Sequence, residues 1–342
     1  MDIKSAVKNL LLLLTAAAVI IITGVIGVQY IKRRQLGKAF SLALRQIDHH
    51  INVRVLKKRE VIRKVNNYPM ILNFEEEGLS RHLMVHRERE VAETETIKRI
   101  VKPGMCILEI GANVGYYTIL MGKLVGKNGK IYAYEPYPRS VDILTRNVRL
   151  NGLADIVEVH NSAVSSENAI KKLYLGKASN VHGLINYKTG DNDADYIEVE
   201  TEDIREILVS AGRRIDLIRM DIEGHERELF SRLSSDIEAF LPAQIFFEVH
   251  PLGNIDPDPT FIAPLTNMLE LGYYPELVIS ASAPVAEAKK GFDELNYQPF
   301  KVVNVNMITS YLYDNIKASD LLKVAAKRPK RIARAILLKR KE

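Results

Sequence analysis

The sequence predicts an α/β fold, a doubly wound and mostly parallel seven-stranded sheet that follows an N-terminal transmembrane helix. Short apolar runs alternate with segments of helical periodicity, an order typical of parallel strands joined by helices. The first of these strands leads directly into a glycine-rich turn, as in many ligand-binding α/β sheets. The membrane helix is predicted from one long apolar segment near the N-terminus.

That apolar segment is residues 9–31, which carry no charged residue and are mostly Leu, Ile, Val and Ala. It is long enough to cross a bilayer as a helix. A cleavable signal peptide is the alternative, but the apolar run is too long for one and reaches Lys32 without a clear cleavage site. More Lys and Arg follow the segment than precede it, so the positive-inside rule predicts a cell-membrane protein with the bulk of the chain in the cytoplasm.

We predict four parts along the chain: a membrane anchor over residues 1–34, an amphipathic helical stalk over 35–68, a catalytic domain over 69–315 and a basic tail over 316–342. Apolar residues between positions 36 and 65 recur at near-helical spacing, which predicts the stalk. The tail mixes Lys and Arg with apolar residues, so it either lies on anionic lipid or is disordered. The net charge of +6 is concentrated at the two ends, which favours a membrane surface over nucleic acid. The single cysteine excludes an intrachain disulfide.

The glycine-rich turn reads E-x-G-x-x-x-G, with Glu109 just ahead of Gly111 and Gly115. Both glycines allow a sharp turn and a close approach of the backbone to a ligand. An anionic pyrophosphate would not favour Glu109, whereas a ligand with a cationic ammonium and sulfonium would. A second strand over residues 130–134 ends at Glu135, where an acid commonly binds ribose hydroxyls. These four residues together favour S-adenosylmethionine over NAD, since the third glycine of G-x-G-x-x-G is also missing; the alternative is a helix-packing turn with two surface acids.

The remaining elements alternate in the same way. We predict helices over 90–101, 136–151 and 261–271, and strands over 156–160, 214–221, 243–250, 275–280 and 302–313. Two edge strands, near 173–175 and 196–199, flank a polar insert that we expect at the substrate mouth, because functional loops cluster there. Ser162 and Ala163 follow the third strand, where a loop can contact the adenine edge.

Three motifs resemble the FkbM-type class I S-adenosylmethionine-dependent methyltransferases: residues 109–118 (EIGANVGYYT), residues 134–136 (YEP) and residues 215–226 (IDLIRMDIEGHE). The resemblance covers roughly residues 70–310. It implies a Rossmann-like fold, S-adenosyl-L-methionine as cofactor, and methylation of hydroxyls on sugars and natural products. This family more often has Asp at the position of Glu109 and Phe at that of Tyr134. The residues that we predict to bind the cofactor are Glu109, Gly111, Asn113, Gly115, Tyr116, Glu135, Pro136, Ser162, Ala163 and Asp221.

Methyl transfer to an alcohol requires a group that takes the hydroxyl proton. Acids and histidines from two neighbouring strand ends provide candidates: Asp221, Glu223, His225, Glu248 and His250. We predict His225 as the base because it titrates nearest neutral pH, with Asp221 or Glu223 orienting its ring or binding the substrate hydroxyl.

Each member of this set also has a structural interpretation. Glu223 can cap the following helix, Glu248 can pair with an arginine, and His250 can be a satisfied turn histidine. The set can also hold a divalent metal, but we assign no metal site because the spacing matches no dedicated ligand motif.

The sequence therefore predicts a membrane-anchored O-methyltransferase whose acceptor is a small molecule, glycan or lipid-linked hydroxyl compound. The alternative from another class is a catalytically silent membrane scaffold that keeps the fold. No nucleic-acid partner is expected, and the oligomeric state is left open.

Overall fold

A computed structural model of the chain describes residues 44, 51–52, 56, 59–74, 78–176, 181–186, 195–233, 235–250, 259–281, 285–305, 308–325 and 334–341. The predicted anchor, residues 9–31, and most of the predicted stalk lie outside these ranges. Among the described residues, no helix combines the length and the apolar character that a bilayer crossing requires.

The chain divides into two compact units, one formed by residues 1–59 and 84–86 and the other by residues 60–83 and 87–342. Few residues of the first unit are described. The second unit contains all the strands and helices given below, except that the last three residues of the helix Leu79–His86 belong to the first unit.

The strands of the described residues, in chain order, are β1 Glu60–Val65, β2 Tyr68–Asn73, β3 Cys106–Ile110, β4 Lys130–Tyr134, β5 Val157–His160, β6 Ala163–Ser165, β7 Ala169–Tyr174, β8 Tyr196–Asp203, β9 Leu217–Met220, β10 Gln244–Glu248, β11 Tyr273–Ala281, β12 Lys301–Val305, β13 Ile308–Tyr313 and β14 Ala335–Arg340. The α-helices of the same residues are α1 Leu79–His86, α2 Val91–Ile100, α3 Tyr116–Val125, α4 Pro138–Leu150, α5 Ile204–Ser210, α6 Glu226–Arg232, α7 Pro259–Glu270, α8 Val285–Asp293 and α9 Ala318–Ala325.

The main sheet has the order β12-β13-β11-β14-β10-β9-β3-β4-β5. Five neighbouring strands, β10, β9, β3, β4 and β5, are parallel, and the other four continue the sheet through antiparallel pairs. The α/β prediction is confirmed, but the sheet is mixed and has nine strands rather than seven. One reason is that the predicted strand over 302–313 is a hairpin, since β12 and β13 pair through the register Val305↔Ile308.

The predicted tail supplies another strand. β14 lies inside the sheet, between β10 and β11 and antiparallel to both. Ala335, Ile336, Leu337 and Leu338 are at most 1% exposed. The prediction of a solvated or lipid-bound tail is therefore wrong for these residues. It weighed the surrounding Lys and Arg more heavily than this short apolar run. The prediction is also wrong for α9 of the same segment, where Leu321, Val324 and Ala325 are buried.

The stalk prediction is also wrong at its C-terminal end. Residues 60–65, assigned to the stalk helix, form β1, which pairs antiparallel with β2. The segment reads EVIRKV, in which β-branched residues are frequent, and such residues favour strands.

A smaller sheet, of order β6-β8-β7, begins directly after β5 in the chain. Its β7 and β8 pair antiparallel through Tyr174↔Tyr196 and correspond to the two predicted edge strands that flank the polar insert.

The parallel strands fix the position of the site. β3, β4, β9 and β10 run in one direction, so the residues that follow them, including Gly111, Glu135 and Asp221, meet at the same edge of the sheet. Ligands of open α/β sheets bind at this edge.

Candidate functional site

The glycine turn after β3 is shaped by its neighbour strand. Gly111 has φ +82°, and a Cβ there would lie 2.3 Å from the backbone oxygen of Asp221. The amides of Gly111 and Ala112 donate to the carbonyl of Tyr134 at 2.9 and 3.0 Å. Only glycine fits this position, and the turn is thereby tied to the ends of both β4 and β9.

Glu135 holds the other side of the turn. Its Oε2 accepts a hydrogen bond from the Asn113 amide at 2.8 Å and its Oε1 accepts one from the Tyr137 amide at 2.9 Å. Asn113 has φ +50°, a left-handed conformation that Asn tolerates better than most residues. The carboxylate thus joins the turn after β3 to the start of α4.

A cavity of about 840 Å³, open to solvent, lies at this edge of the sheet. Of the predicted site residues, nine line it: Gly111, Asn113, Tyr116, Glu135, Pro136, Ala163, Asp221, Glu223 and His225. The structure thus brings most of the predicted set together, and the role of each residue stays a prediction.

Three predicted cofactor residues, Glu109, Gly115 and Ser162, are not among the lining residues. A Cβ at Gly115 would lie 2.8 Å from Leu144 Cδ1, so this glycine makes room for α4. Ser162 is buried and donates to Glu202 Oε1 at 2.5 Å. The loop after β5 reaches the cavity through Ala163 instead.

Glu109 is completely buried behind the turn. Its Oε2 accepts a hydrogen bond from Thr118 Oγ1 at 2.6 Å, and its Oε1 is buried with no hydrogen-bond partner among the described residues. Burial raises the pKa of Glu109 to about 7, although the nearby Arg219 guanidinium opposes this shift. The structure therefore places Glu109 beneath the site.

His225 lines the cavity and is 5% exposed. Its Nε2 lies 3.3 Å from Ser165 Oγ, and its Nδ1 lies 3.4 Å from Glu228 Oε2. Burial lowers the pKa of His225, so the ring is neutral at pH 7. Burial alone would raise the pKa of Glu228, but hydrogen bonds from Ser166 and Ser165 and the nearby cations lower it to about 2.

The predicted partners of His225 differ from those in the structure. We predicted that Asp221 or Glu223 would orient the His225 ring, but Glu228 lies beside it. Asp221 and Glu223 face His250 instead. Sequence reasoning missed Glu228 because its carboxylate reaches His225 from the next turn of the helix, at a spacing of three residues.

His250 lies in a second cluster, below the cavity. Its Nδ1 contacts Glu226 Oε1 at 2.9 Å, and its Nε2 lies 3.6 Å from Asp221 Oδ1, 3.6 Å from Glu223 Oε1 and 3.8 Å from Glu248 Oε2. Burial alone would lower the pKa of His250, but these carboxylates raise it to about 10. The structural interpretation of Glu248 also holds, since Arg334 Nη2 lies 3.6 Å from its Oε1.

Two arginines that sequence reasoning missed also line the cavity. Arg219 donates to Asp221 Oδ2 at 3.3 Å, and its guanidinium lies 4.3 Å from the ring centroid of Tyr117. Arg89 pairs with Glu90, which also pairs with Arg334 at 3.0 Å. Arg219 lies within a strand, and Arg89 lies in a charged run, so neither gave a pattern that separates a buried arginine from a solvated one.

The polar insert reaches the cavity as expected within its described residues 181–186. His182, Gly183 and Leu184 line the cavity. Nδ1 of His182 accepts a hydrogen bond from the Gly176 amide at 3.0 Å, and its ring lies 4.6 Å from that of Tyr137. Residues on both sides of this segment lie outside the described ranges.

Among curated proteins, the chain is similar to protein-L-isoaspartate O-methyltransferases over short segments. The one from Methanococcoides burtonii is 39% identical over 61 residues, which are 18% of this chain and 30% of that protein. The one from Aeropyrum pernix is 34% identical over 58 residues, 17% of this chain and 22% of that protein. The chain thus spans less than a third of the length of these relatives.

Two solved structures are similar at low identity. M. jannaschii TYW2 in complex with AdoMet has a TM-score of 0.40 and 13% identity, over 83% of this chain and 88% of that chain. The O-methyltransferase from Bacillus cereus in complex with SAH has a TM-score of 0.33 and 13% identity, over 66% of this chain and 82% of that chain. Likenesses at this level say nothing about the substrate.

The family comparison covers the site itself. Residues 109–274 match the family model described as the methyltransferase FkbM domain. This range begins at the glycine turn and includes Glu135, the loop after β9, and His250. Over residues 109–274, just under half of its length, the chain is therefore similar to the FkbM methyltransferases, which use S-adenosylmethionine.

Proposed function

We propose that the chain is an O-methyltransferase that transfers a methyl group from S-adenosylmethionine to a hydroxyl of a glycan, glycolipid or similar compound. The observation that carries the proposal is the position of His225, a neutral imidazole in the cavity wall with a carboxylate beside its Nδ1. Such a group takes the proton that an alcohol must lose when it becomes a nucleophile.

The cavity suits the methyl donor chemically. Its lining among the described residues contains four carboxylates, Glu90, Glu135, Asp221 and Glu223, and two guanidiniums, Arg89 and Arg219. This excess of negative charge complements an ammonium and a sulfonium, while a guanidinium can pair with the donor's carboxylate. When bound, S-adenosylmethionine supplies a methyl group on a positively charged sulfur, open to in-line attack by an oxygen.

Within this proposal, three groups hold the donor. Glu135 accepts the ribose hydroxyls, since its carboxylate lines the cavity at the end of β4, where an acid commonly binds ribose. The Gly111 turn provides close backbone approach. The role at the ammonium group that sequence reasoning gave to Glu109 falls to another carboxylate of the lining, because Glu109 does not line the cavity.

His225 performs the proton transfer. The Glu228 carboxylate favours the ring proton on Nδ1, so Nε2 carries the lone pair. Nε2 takes the hydroxyl proton while the acceptor oxygen forms its bond to the methyl carbon and the carbon–sulfur bond breaks. The resulting imidazolium is stabilised by Glu228, whose low pKa keeps it ionised.

The anchor is part of this proposal. Residues 9–31, uncharged and apolar, would hold the catalytic unit at the cytoplasmic face of the cell membrane. An anchored enzyme meets lipid-linked acceptors at high local concentration, which supports a glycolipid or surface-bound glycan over a freely diffusing one.

The first test compares two glutamates. Glu228 and Glu167 both pair with Lys171 at 3.2 Å, but in the structure only Glu228 contacts His225. Full-length chain in detergent is assayed for transfer of labelled methyl from S-adenosylmethionine to a glycolipid extract. We expect His225→Gln to lower kcat about 10²–10⁴-fold. Glu228→Gln should lower kcat and shift the pH profile, whereas Glu167→Gln should behave as the wild type.

The second test identifies the acceptor. Mass spectrometry of the glycolipid fraction, with and without the gene, should show one species that differs by a single methyl group. Full activity in His225→Gln would overturn the proposed base. Binding of S-adenosylmethionine with no transfer to any extract would favour the silent scaffold.

A further inference from the structure

The cluster around His250 brings three side chains with metal-binding atoms close together. One oxygen of Asp221, one of Glu223 and one nitrogen of His250 all lie within 4.8 Å of one another. The separations from His250 Nε2 to the two acids, 3.6 Å each, are longer than a hydrogen bond. They are close to the spacing of two atoms that each lie about 2.1 Å from one ion.

We propose that Asp221, Glu223 and His250 bind a divalent first-row metal ion of the Mn²⁺ type. The set consists of two carboxylates and one imidazole, which together carry two negative charges once the imidazole has released its ring proton to bind the ion. The imidazole argues against Ca²⁺ and Mg²⁺, which prefer oxygen alone, and the two carboxylates suit Mn²⁺.

The histidine is held as metal-bound histidines are. Its side chain is 3% exposed, and Nδ1 contacts Glu226 Oε1 at 2.9 Å, which directs Nε2 toward the two acids. A carboxylate on the far nitrogen is the usual second partner of a metal-bound imidazole. The same Glu226 oxygen accepts a hydrogen bond from the Ile222 amide at 3.2 Å, so it also fixes the loop that carries Glu223.

The backbone conformation of the loop that carries Glu223 is also unusual. Glu223 has φ +50° and Gly224 has φ +92°, two successive left-handed residues separated from Asp221 by Ile222 alone. Left-handed conformations are costly for a residue with a long side chain and are found most often at functional sites. Asp221 is oriented as well, because Arg219 binds its Oδ2 and leaves Oδ1 facing His250.

A third acid lies next to the cluster. Glu248 Oε2 is 3.8 Å from His250 Nε2. Glu248 lies beside the three proposed ligands rather than among them.

Asp221 and Glu223 also line the cavity that contains His225, so the ion can be reached from there. A metal ion at this point would bind an acceptor hydroxyl and lower its pKa. That role rests on the proposed function, whereas binding of the metal does not.

The experiment titrates MnCl₂ into metal-stripped full-length chain in detergent and follows free Mn²⁺ by its electron paramagnetic resonance signal. We expect one bound Mn²⁺ per chain. His250→Gln and Glu223→Gln should each weaken binding at least about tenfold. His225→Gln is the matched control, a second buried histidine of the same cavity wall, and should bind Mn²⁺ as the wild type does.

Absence of Mn²⁺ binding to the wild type, or wild-type affinity for Mn²⁺ in both His250→Gln and Glu223→Gln, would overturn the proposal. His250 would then be an ion-pair partner of the acids. If His250→Gln does not fold by circular dichroism, Glu223→Gln decides, because its side chain lies at the cavity wall. If the chain binds Mn²⁺ but transfers no methyl group, the proposed function is wrong and the metal site still stands.

Discussion

Glu109 allows a sharp test of how burial acts beneath the glycine turn. The carboxyl is completely buried, and burial raises its pKa from 4.5 to about 7. In the unfolded chain it titrates near its ordinary value. Between these two pKa values the folded state binds a proton that the unfolded state lacks, so stability falls as the pH rises through this window.

The size of the effect follows from the shift. One unit of pKa corresponds to about 1.4 kcal/mol, so ionising Glu109 costs the folded state about 3 kcal/mol by pH 7. Glu109→Gln removes the titrating group and keeps an oxygen that can accept from Thr118. The variant should therefore gain about 3 kcal/mol in unfolding free energy relative to the wild type between pH 4.5 and pH 7.

Urea unfolding at pH 5, 6, 7 and 8, followed by circular dichroism, measures this difference. Thr118→Val is the matched control, because it removes the hydrogen bond but keeps the carboxyl. Since that hydrogen bond lowers the pKa of Glu109, this variant must keep a pH dependence and extend it to higher pH. A difference between Glu109→Gln and wild type that is constant across this range would refute the argument.

Three further predictions use other features of the fold. Gly111→Ala places a Cβ 2.3 Å from the Asp221 carbonyl, whereas Gly152→Ala, also at positive φ, meets nothing within 4 Å; urea unfolding should show the first to cost about 1–3 kcal/mol more than the second. Arg334→Met leaves the buried Glu93 without its cation and removes one of the two cations that pair with Glu90, and the same assay should show a loss of about 3–5 kcal/mol; a loss below 1 kcal/mol contradicts this. Deletion of residues 334–342 removes an internal strand and should abolish cooperative thermal unfolding; an unchanged Tm contradicts the sheet order.

Sequence reasoning predicted the parallel half of the sheet because its strands are short, apolar and followed by helices. β3, β4 and β10 begin and end within a few residues of the predicted positions. The antiparallel half of the sheet was harder to predict, since β14 contains an apolar run of only four residues within a basic segment. Local composition there indicates a tail, and only its partners β10 and β11 make it a strand.

In the functional site, too, some features could be predicted from the sequence and others could not. The residues that follow parallel strands, such as Gly111, Glu135 and Asp221, were predicted because topology alone brings strand ends together. Side-chain direction was not predictable in this way. Glu109 points beneath the turn toward Thr118, and Asp221 and Glu223 face His250 instead of His225, because pairing depends on the left-handed loop after β9.

The central claim is that the cavity at the strand ends binds S-adenosylmethionine through the Glu135-anchored turn. Isothermal titration of S-adenosylmethionine into the full-length chain in detergent tests it most directly. We expect one site per chain, with affinity at least about tenfold weaker in Glu135→Gln, which loses the charged acceptor, and little changed in His225→Gln. No heat of S-adenosylmethionine binding to the wild type, or the same affinity in Glu135→Gln as in the wild type, would contradict the account.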